Sequence, residues 1–134
     1  MRQLSEAVRA GLIAAIVSGA PSTLHALATG RDPLEATFAA GSILLPGETR
    51  HGRLLAAAVP VHLLISLGWA LVLAATLPRR RTTLWGAAAG LGIAALDLGV
   101  VGRRFERIHA LSVLPQIADH VAYGAVVGAV LREA

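Results

Sequence analysis

The chain contains four apolar stretches, each long enough to cross a lipid bilayer as a helix. They cover residues 8–28, 54–77, 83–102 and 110–131. About 20 mainly apolar residues are needed to cross the hydrocarbon core, and a helix satisfies its own backbone hydrogen bonds there. The pattern therefore predicts an all-α integral membrane protein, folded as one domain with four spans in a four-helix bundle.

Composition agrees with a membrane protein and argues against other classes. Charged residues make up 15% of the 134 residues, against about 25% in an average soluble domain. The net charge is +4, but the arginines lie in short clusters that flank apolar runs, as membrane proteins place them, so we expect no nucleic-acid partner. The chain has no cysteine, which excludes disulfides, thiolate metal sites and cysteine nucleophiles.

The connections between the spans differ in length and charge. Residues 29–53 form a long loop, and its apolar segment 33–47 is too short to span. We expect this segment to lie at the membrane interface, to re-enter the membrane or to cap the bundle. A short turn carries three arginines at 79–81. This dense charge favours a cytoplasmic location for the turn and for both termini, which lie on the same side.

The two halves of the chain resemble each other. Residues 10–19 (AGLIAAIVSG) are similar to 89–99 (AGLGIAALDLG), and the stretches that begin at His62 and His120 are similar as well. This similarity predicts a duplicated helical hairpin, since parallel repeats around a midplane site occur in membrane proteins. The alternative is that helices rich in alanine and glycine look alike by composition alone.

Small residues recur at every fourth position in three spans, and in the first span they are Gly11, Ala15 and Gly19. Two further stripes lie in the second half of the chain. They are Gly86, Gly90 and Ala94 in the third span, and Gly124 and Gly128, in GxxxG spacing, in the fourth. Such stripes let helix backbones approach closely in lipid. They predict close packing, either within the chain or between copies in a homo-oligomer.

Polar and ionisable side chains interrupt all four spans in the same half of the bundle. At a rise of 1.5 Å per residue, the ionisable groups lie about 5 to 14 Å from the end that adjoins the loops 29–53 and 103–109. Such groups are costly in a bilayer and usually face the bundle interior. We therefore predict a polar ligand-binding site in this half, formed by His25, His62, Asp97, Gln116, Asp119, His120 and Tyr123.

Asp119 and His120 are neighbours in sequence but cannot share one helix face. Successive helical residues point about 100° apart, so each side chain needs its own partner on another helix. We expect His120 to meet His62 or Asp97, and Asp119 to meet a different neighbour. The hydroxyl of Tyr123, one turn after His120, is placed to join the same group of polar side chains.

The residues leave several functions open. Binding of a small molecule, lipid or ion in the polar site is preferred. One alternative is a haem or divalent-metal protein that uses His62 and His120 as ligands. Others are a membrane enzyme with a His–Asp general base, and a structural or accessory subunit that binds a partner through its glycine faces. A His–Asp hydrogen bond that only fastens helices together is also compatible with the pattern.

The stretches VPVHLLISLGWALVLA and ADHVAYGAVVGAVL resemble a group of small four-span bacterial inner-membrane proteins, the YagU-like group. That group has an apolar helix led by a histidine, matched by His62, and a final span of the form H-x-x-[YF]-G-x-x-x-G, matched by His120, Tyr123, Gly124 and Gly128. The likeness covers about the last 80 residues, and the chain lacks the longer loop insertions of the group. The resemblance implies four spans, two helix-borne histidines and a bacterial inner-membrane location, and it implies no activity.

Overall fold

The computed structural model describes residues 2–132, which fold into helices with no strand among them. The helices are α1 (Arg2–Val17), α2 (Ala20–Ala28), α3 (Glu35–Leu44), α4 (His51–Thr76), α5 (Thr82–Leu96), α6 (Glu106–His109) and α7 (Val113–Arg132). A π-helical turn (Asp97–Val101) and a 3₁₀ turn (Gly102–Arg104) continue α5 toward α6.

Four helical segments are long and apolar enough to cross a membrane. They are Gln3–Ala28, His51–Thr76, Thr82–Arg104 and Val113–Arg132. These segments match the four predicted spans to within a few residues, and the all-α four-helix bundle is confirmed. The protein is a multi-pass membrane protein.

The packed core lies in the half of the bundle next to the termini and the 78–81 turn. It brings together buried side chains from all four spans: Ala10, Ala14, Ala70, Leu73, Ile93, Tyr123 and Val127. Three of the seven are alanines, and such small side chains let helices approach closely in lipid. This half is solid, in contrast to the opposite half described below.

The second hairpin, α5 with α7, is the most extensively packed helix pair. A Cβ atom on Gly86 would overlap the carbonyl oxygen of Gly124, and one on Gly90 would overlap that of His120. At the end of the same seam, a Cβ atom on Gly128 would overlap the carbonyl of Thr82. Backbone therefore rests directly on backbone, and the predicted glycine stripes pack against each other within the chain.

The apolar segment of the long loop forms α3, which packs across the start of α4. A Cβ atom on Gly41 would overlap the backbone carbonyl of Leu54. Phe38 stacks on the ring of His51, with centroids 4.2 Å apart. Helix α3 is therefore fixed against the bundle, where it forms part of the cavity wall described below.

Glu48 holds the end of the long loop where it enters α4. Its carboxylate accepts hydrogen bonds from the backbone N–H groups of Thr49 and Arg50, at 3.0 and 2.9 Å. It also pairs with the side chains of Arg50 and Arg53, each at 3.2 Å. The backbone and side-chain hydrogen bonds from Arg50 favour the ionised form and lower the pKa of Glu48 from 4.5 to about 2.

Candidate functional site

A cavity of about 840 Å³ occupies the half of the bundle that adjoins the connections 29–50 and 102–112. We call this space the bundle cavity. Six of the seven predicted site residues line it: His62, Asp97, Gln116, Asp119, His120 and Tyr123. His25, by contrast, lies outside the lining. Residues predicted from separate spans are thus brought to one space.

Asp97 begins the π-helical turn that interrupts the third span. The α-helical pattern runs through Leu96, and the N–H of Gly102 then bonds the carbonyl of Asp97, five residues back. Single π turns are rare and frequently occur at functional sites. Across the seam between α5 and α7, Nε2 of His120 lies 3.1 Å from Oδ2 of Asp97. This contact confirms one of the two partners predicted for His120.

The hydrogen bonds of His120 determine how many protons the Asp97–His120 pair holds. Nδ1 lies 2.6 Å from the carbonyl oxygen of Gln116, and because a carbonyl only accepts, Nδ1 must carry a hydrogen. The contact between Nε2 and Asp97 then needs a further proton, on either the ring or the carboxyl group. In both forms the pair has no net charge, which reduces the cost of holding it inside the bundle.

The first span is broken between α1 and α2. Helix α1 ends at Val17 and α2 begins at Ala20, with Pro21 in its first turn. Proline has no N–H, and its ring clashes with the carbonyl four residues earlier, here that of Val17, so the first helix cannot continue unchanged. The span predicted as one stretch over 8–28 is therefore two helices.

Two of the predicted site residues bind the backbone groups exposed at this break. The last carbonyls and the first N–H groups of a helix have no partner within it. Nε2 of His62 lies 2.9 Å from the carbonyl of Ala15 in the last turn of α1. Oδ1 of Asp119 accepts a hydrogen bond from the N–H of Ser22, in the first turn of α2, at 2.8 Å. The different neighbour expected for Asp119 is thus the N-terminus of α2, whose dipole favours a negative charge.

Ser66 links three helices beside the cavity. Its hydroxyl donates to the carbonyl of Gly11 on α1 at 2.8 Å. Its own backbone carbonyl accepts a hydrogen bond from the hydroxyl of Tyr123 on α7. The Tyr123 hydroxyl therefore binds α4, and the prediction that it joins the aspartate and histidine side chains is not met.

Apolar residues form most of the cavity wall. Val59, Ile65 and Trp69 come from α4, and Ala36 and Ala40 come from α3. Small-molecule sites in proteins are typically clefts of about 300–1,000 Å³ with apolar walls and a few placed polar groups. The bundle cavity has both the size and this distribution of polarity.

Among the described residues, the bundle cavity is lined by acidic side chains but by no arginine. Every basic residue of the chain other than histidine is arginine, and within the described residues 2–132 no arginine contributes to the lining. The Asp97–His120 pair is neutral, and His62 needs only its neutral form to donate to Ala15. Asp119 is therefore the group whose ionisation would give the lining a net negative charge.

The two histidines do not form a ready metal or haem site. Among residues 2–132, no group of three or more His, Asp or Glu side chains is placed to hold a metal ion. Both ring nitrogens of His120 and Nε2 of His62 already form hydrogen bonds within the protein. Ligation through His120, or through Nε2 of His62, would have to break one of these bonds, so the geometry favours a hydrogen-bonding role for these three nitrogens.

Sequence reasoning missed the backbone partners of the site and its aromatic wall. The carbonyl of Ala15 and the N–H of Ser22 become available only because the first span breaks, and Pro21 close after Gly19 is the signal for that break. No comparable signal marks the π turn. Trp69 packs against the buried core and also lines the cavity, and this position depends on the assembled bundle.

Comparisons of the chain with protein-family models, curated proteins and solved structures found no match. The function of the bundle cavity is therefore inferred from its own geometry.

Proposed function

We propose that this membrane protein binds a lipid-soluble small molecule in the bundle cavity. One observation carries the proposal: six polar side chains predicted from sequence line a single apolar-walled cavity of about 840 Å³. Apolar walls suit the body of an amphiphilic molecule, and the aspartate and histidine groups suit its polar end. Polar groups inside a membrane bundle are functional candidates by default because their insertion is costly.

The location of the site follows from two further points of the proposal. The three arginines at 79–81 support cytoplasmic termini, which would put the cavity in the outer half of the membrane. The resemblance to the YagU-like group supports the bacterial inner membrane. A ligand of this kind would enter from the lipid or from the outer face.

A structural role is the competing function, and specific hydrogen bonds favour it. His62 on α4 and Asp119 on α7 form hydrogen bonds to the backbone of the broken first span. A scaffold subunit would need such bonds to hold its helices together. A structural role accounts for these two side chains, but it gives no reason for a cavity beside them. Testing whether the cavity takes up a molecule distinguishes ligand binding from a purely structural role.

The two tryptophans provide the test. Trp69 lines the cavity, whereas Trp85 lies on the outside of α5 near the 78–81 turn and is 52% exposed. Trp85→Phe and Trp69→Phe each leave a single reporter. With the full chain in phosphatidylcholine nanodiscs, 11-bromoundecan-1-ol should quench Trp69 saturably, because bromine quenches at short range, and should quench Trp85 only in proportion to its partitioning into lipid.

A pair of alanine variants makes the test specific for the cavity. Ala40→Phe places a ring in the cavity wall, while Ala88→Phe places one on an exposed face of α5. In the Trp85→Phe background, Ala40→Phe should abolish the saturable component and Ala88→Phe should retain it. Equal, non-saturating quenching of both tryptophans would contradict the proposal.

A further inference from the structure

The charges around the bundle cavity indicate what class of molecule it holds. Resting on the proposed function, we infer that the cavity selects a lipid-soluble cation, such as an alkylammonium compound, over an anion with the same tail, and that Asp119 binds the positive group. Three features carry this inference: the sign of the lining charge, the pairing of Asp97, and the partner of Asp119.

The first feature is the absence of basic side chains from the cavity. Within the described residues the lining includes two aspartates and no arginine. An anionic head group inside a membrane cavity needs a cationic partner, because an unpaired charge in a medium of low dielectric constant is costly. The lining offers such a partner only through its two histidines. His120 is bonded to Asp97, and Nε2 of His62 is bonded to the Ala15 carbonyl.

The second feature is the neutral Asp97–His120 pair. Because Nδ1 of His120 donates to the Gln116 carbonyl, the bond to Asp97 includes one proton more than a free carboxylate and a neutral imidazole. Asp97 therefore contributes no net charge to the cavity. Asp119 is then the remaining acidic group of the lining, and a cation in the cavity would pair with its carboxylate.

The third feature is the partner of Asp119, which is a neutral backbone group. The N–H of Ser22 at 2.8 Å and the dipole of α2 orient the carboxylate and offset about half of a unit charge. The same contact occupies the N-terminus of α2, which would otherwise attract an anion. Two effects therefore favour a cation over an anion. The Asp119 carboxylate attracts a positive group, and the helix N-terminus that could bind an anion is already bonded to Asp119.

Competition among three amphiphiles of equal chain length tests the inference. Dodecyltrimethylammonium, dodecan-1-ol and dodecane-1-sulfonate differ only in head group, and their charges do not change with pH. Each is used to displace 11-bromoundecan-1-ol from the Trp85→Phe protein in nanodiscs, at concentrations corrected for partitioning into protein-free nanodiscs. The ammonium compound should displace the probe at about one tenth of the sulfonate concentration or less, given the strength of one charge pair at low dielectric constant.

Two aspartate variants assign the preference to one carboxylate. Asp119→Asn keeps an oxygen that can accept from Ser22 but removes the charge. Asp32→Asn makes the same change outside the cavity, where Oδ1 of Asp32 accepts from the Leu34 N–H, also at 2.8 Å. The preference for the cation should fall about tenfold in Asp119→Asn and stay unchanged in Asp32→Asn.

The outcomes separate this inference from the proposed function. If the bromo-alcohol gives no saturable quenching, the cavity binds no such molecule, and both the proposed function and the cation preference are wrong. If the alcohol binds but the sulfonate competes as well as the ammonium compound, the cavity is a binding site and the cation preference alone is wrong. The same conclusion follows if Asp119→Asn binds the alcohol and keeps the full preference. The comparison in the unmodified cavity decides even if Asp119→Asn does not fold.

Discussion

In each of the two helical hairpins, a histidine on one helix bonds to the partner span at the point where that span is interrupted. The two hairpins differ in how closely their helix backbones pack. In the first hairpin, α1 packs with α4, and Nε2 of His62 bonds the Ala15 carbonyl of the broken span. In the second, α5 packs with α7, and His120 bonds the side chain of Asp97 where the π turn begins. Both interruptions lie in the half that adjoins the connections 29–50 and 102–112. These shared positions favour the duplicated hairpin that the sequence predicts.

The difference between the hairpins lies in how closely their backbones approach. Glycines on α5 and α7 meet with no room for a Cβ atom, whereas at Gly11 in the first hairpin a Cβ atom would mainly meet the side chains of Ala70 and Leu67, at 2.9 and 3.2 Å. A backbone seam is rigid because nothing in it can rotate aside. The second hairpin therefore fixes the Asp97–His120 pair at one side of the cavity.

The largest predicted effect comes from filling the glycine seam. In Gly124→Ala, the new Cβ atom would overlap the carbonyl of Gly86 and approach the backbone nitrogen of Gly90 at 3.0 Å. Neither atom can move without shifting a helix, so the free energy of unfolding should fall by about 1–3 kcal/mol. Denaturant unfolding followed by circular dichroism in detergent micelles measures it.

Gly92→Ala is the matched control for the seam. It lies on the same helix as Gly90, but among the described residues a Cβ atom there meets nothing within 4 Å. Its free energy of unfolding should stay within about 0.5 kcal/mol of the parent. Equal losses in the two variants would show that the seam is no tighter than the lipid-facing side of α5.

The second prediction compares the two histidines directly. His120→Ala removes a half-buried ring with two hydrogen bonds and leaves Asp97 unpaired, so the free energy of unfolding should fall by about 1–3 kcal/mol. His62→Ala removes an exposed ring with one bond to a carbonyl, and the loss should be about 0.5–1.5 kcal/mol. The same unfolding assay ranks them.

A double-mutant cycle sharpens the comparison of the histidines. If the cost at His120 comes from its bond to Asp97, His120→Ala should cost less in an Asp97→Asn background. The difference should be about 0.6 kcal/mol, the average for interhelical hydrogen bonds in membranes, and at most about 1.7 kcal/mol. The cost of His62→Ala should not depend on Asp97. A larger loss at His62 than at His120 would reverse the assignment of the more closely packed hairpin.

The spans and the glycine seam could be predicted because they depend on local pattern. Apolar length sets a membrane helix, and spacing of four places Gly124 and Gly128 on one face whatever that face meets. The sequence could also predict that Asp97 and His120 lie at a similar depth in the bundle, because depth along a helix follows from residue number. Charge inside a bilayer then leaves few choices of partner.

The remaining features depend on how the helices are arranged in three dimensions. The partner of Asp119 is a backbone N–H that exists only because Pro21 breaks the first span, and the Tyr123 hydroxyl meets Ser66 because α4 and α7 cross there. The cavity itself reflects a separation between helices, and no residue encodes that alone. His25 shows the limit of depth as a guide: its position along α2 is suitable, but it lies outside the lining.

The smallest predicted effect concerns the long connection, which only the first hairpin has. Since the pKa of Glu48 is lowered from 4.5 to about 2, its ionised form stabilises the folded state. This contribution is fully present above about pH 4.5 and is lost as the pH falls toward 2. Glu48→Gln should therefore lower the unfolding midpoint at pH 6, and the difference from the parent should vanish near pH 2. The change in the unfolding midpoint should be small, because the carboxylate lies at the surface and solvent screens its ion pairs.

An Arg50→Gln variant separates the causes of the lowered pKa. The backbone N–H of residue 50 remains, so the pKa of Glu48 should rise but stay below 4.5. The chemical shift of the Glu48 carboxyl carbon measures it. An unchanged pKa of Glu48 would mean that the side chain of Arg50 contributes nothing to the ionised form, and that the backbone N–H groups and Arg53 hold the loop.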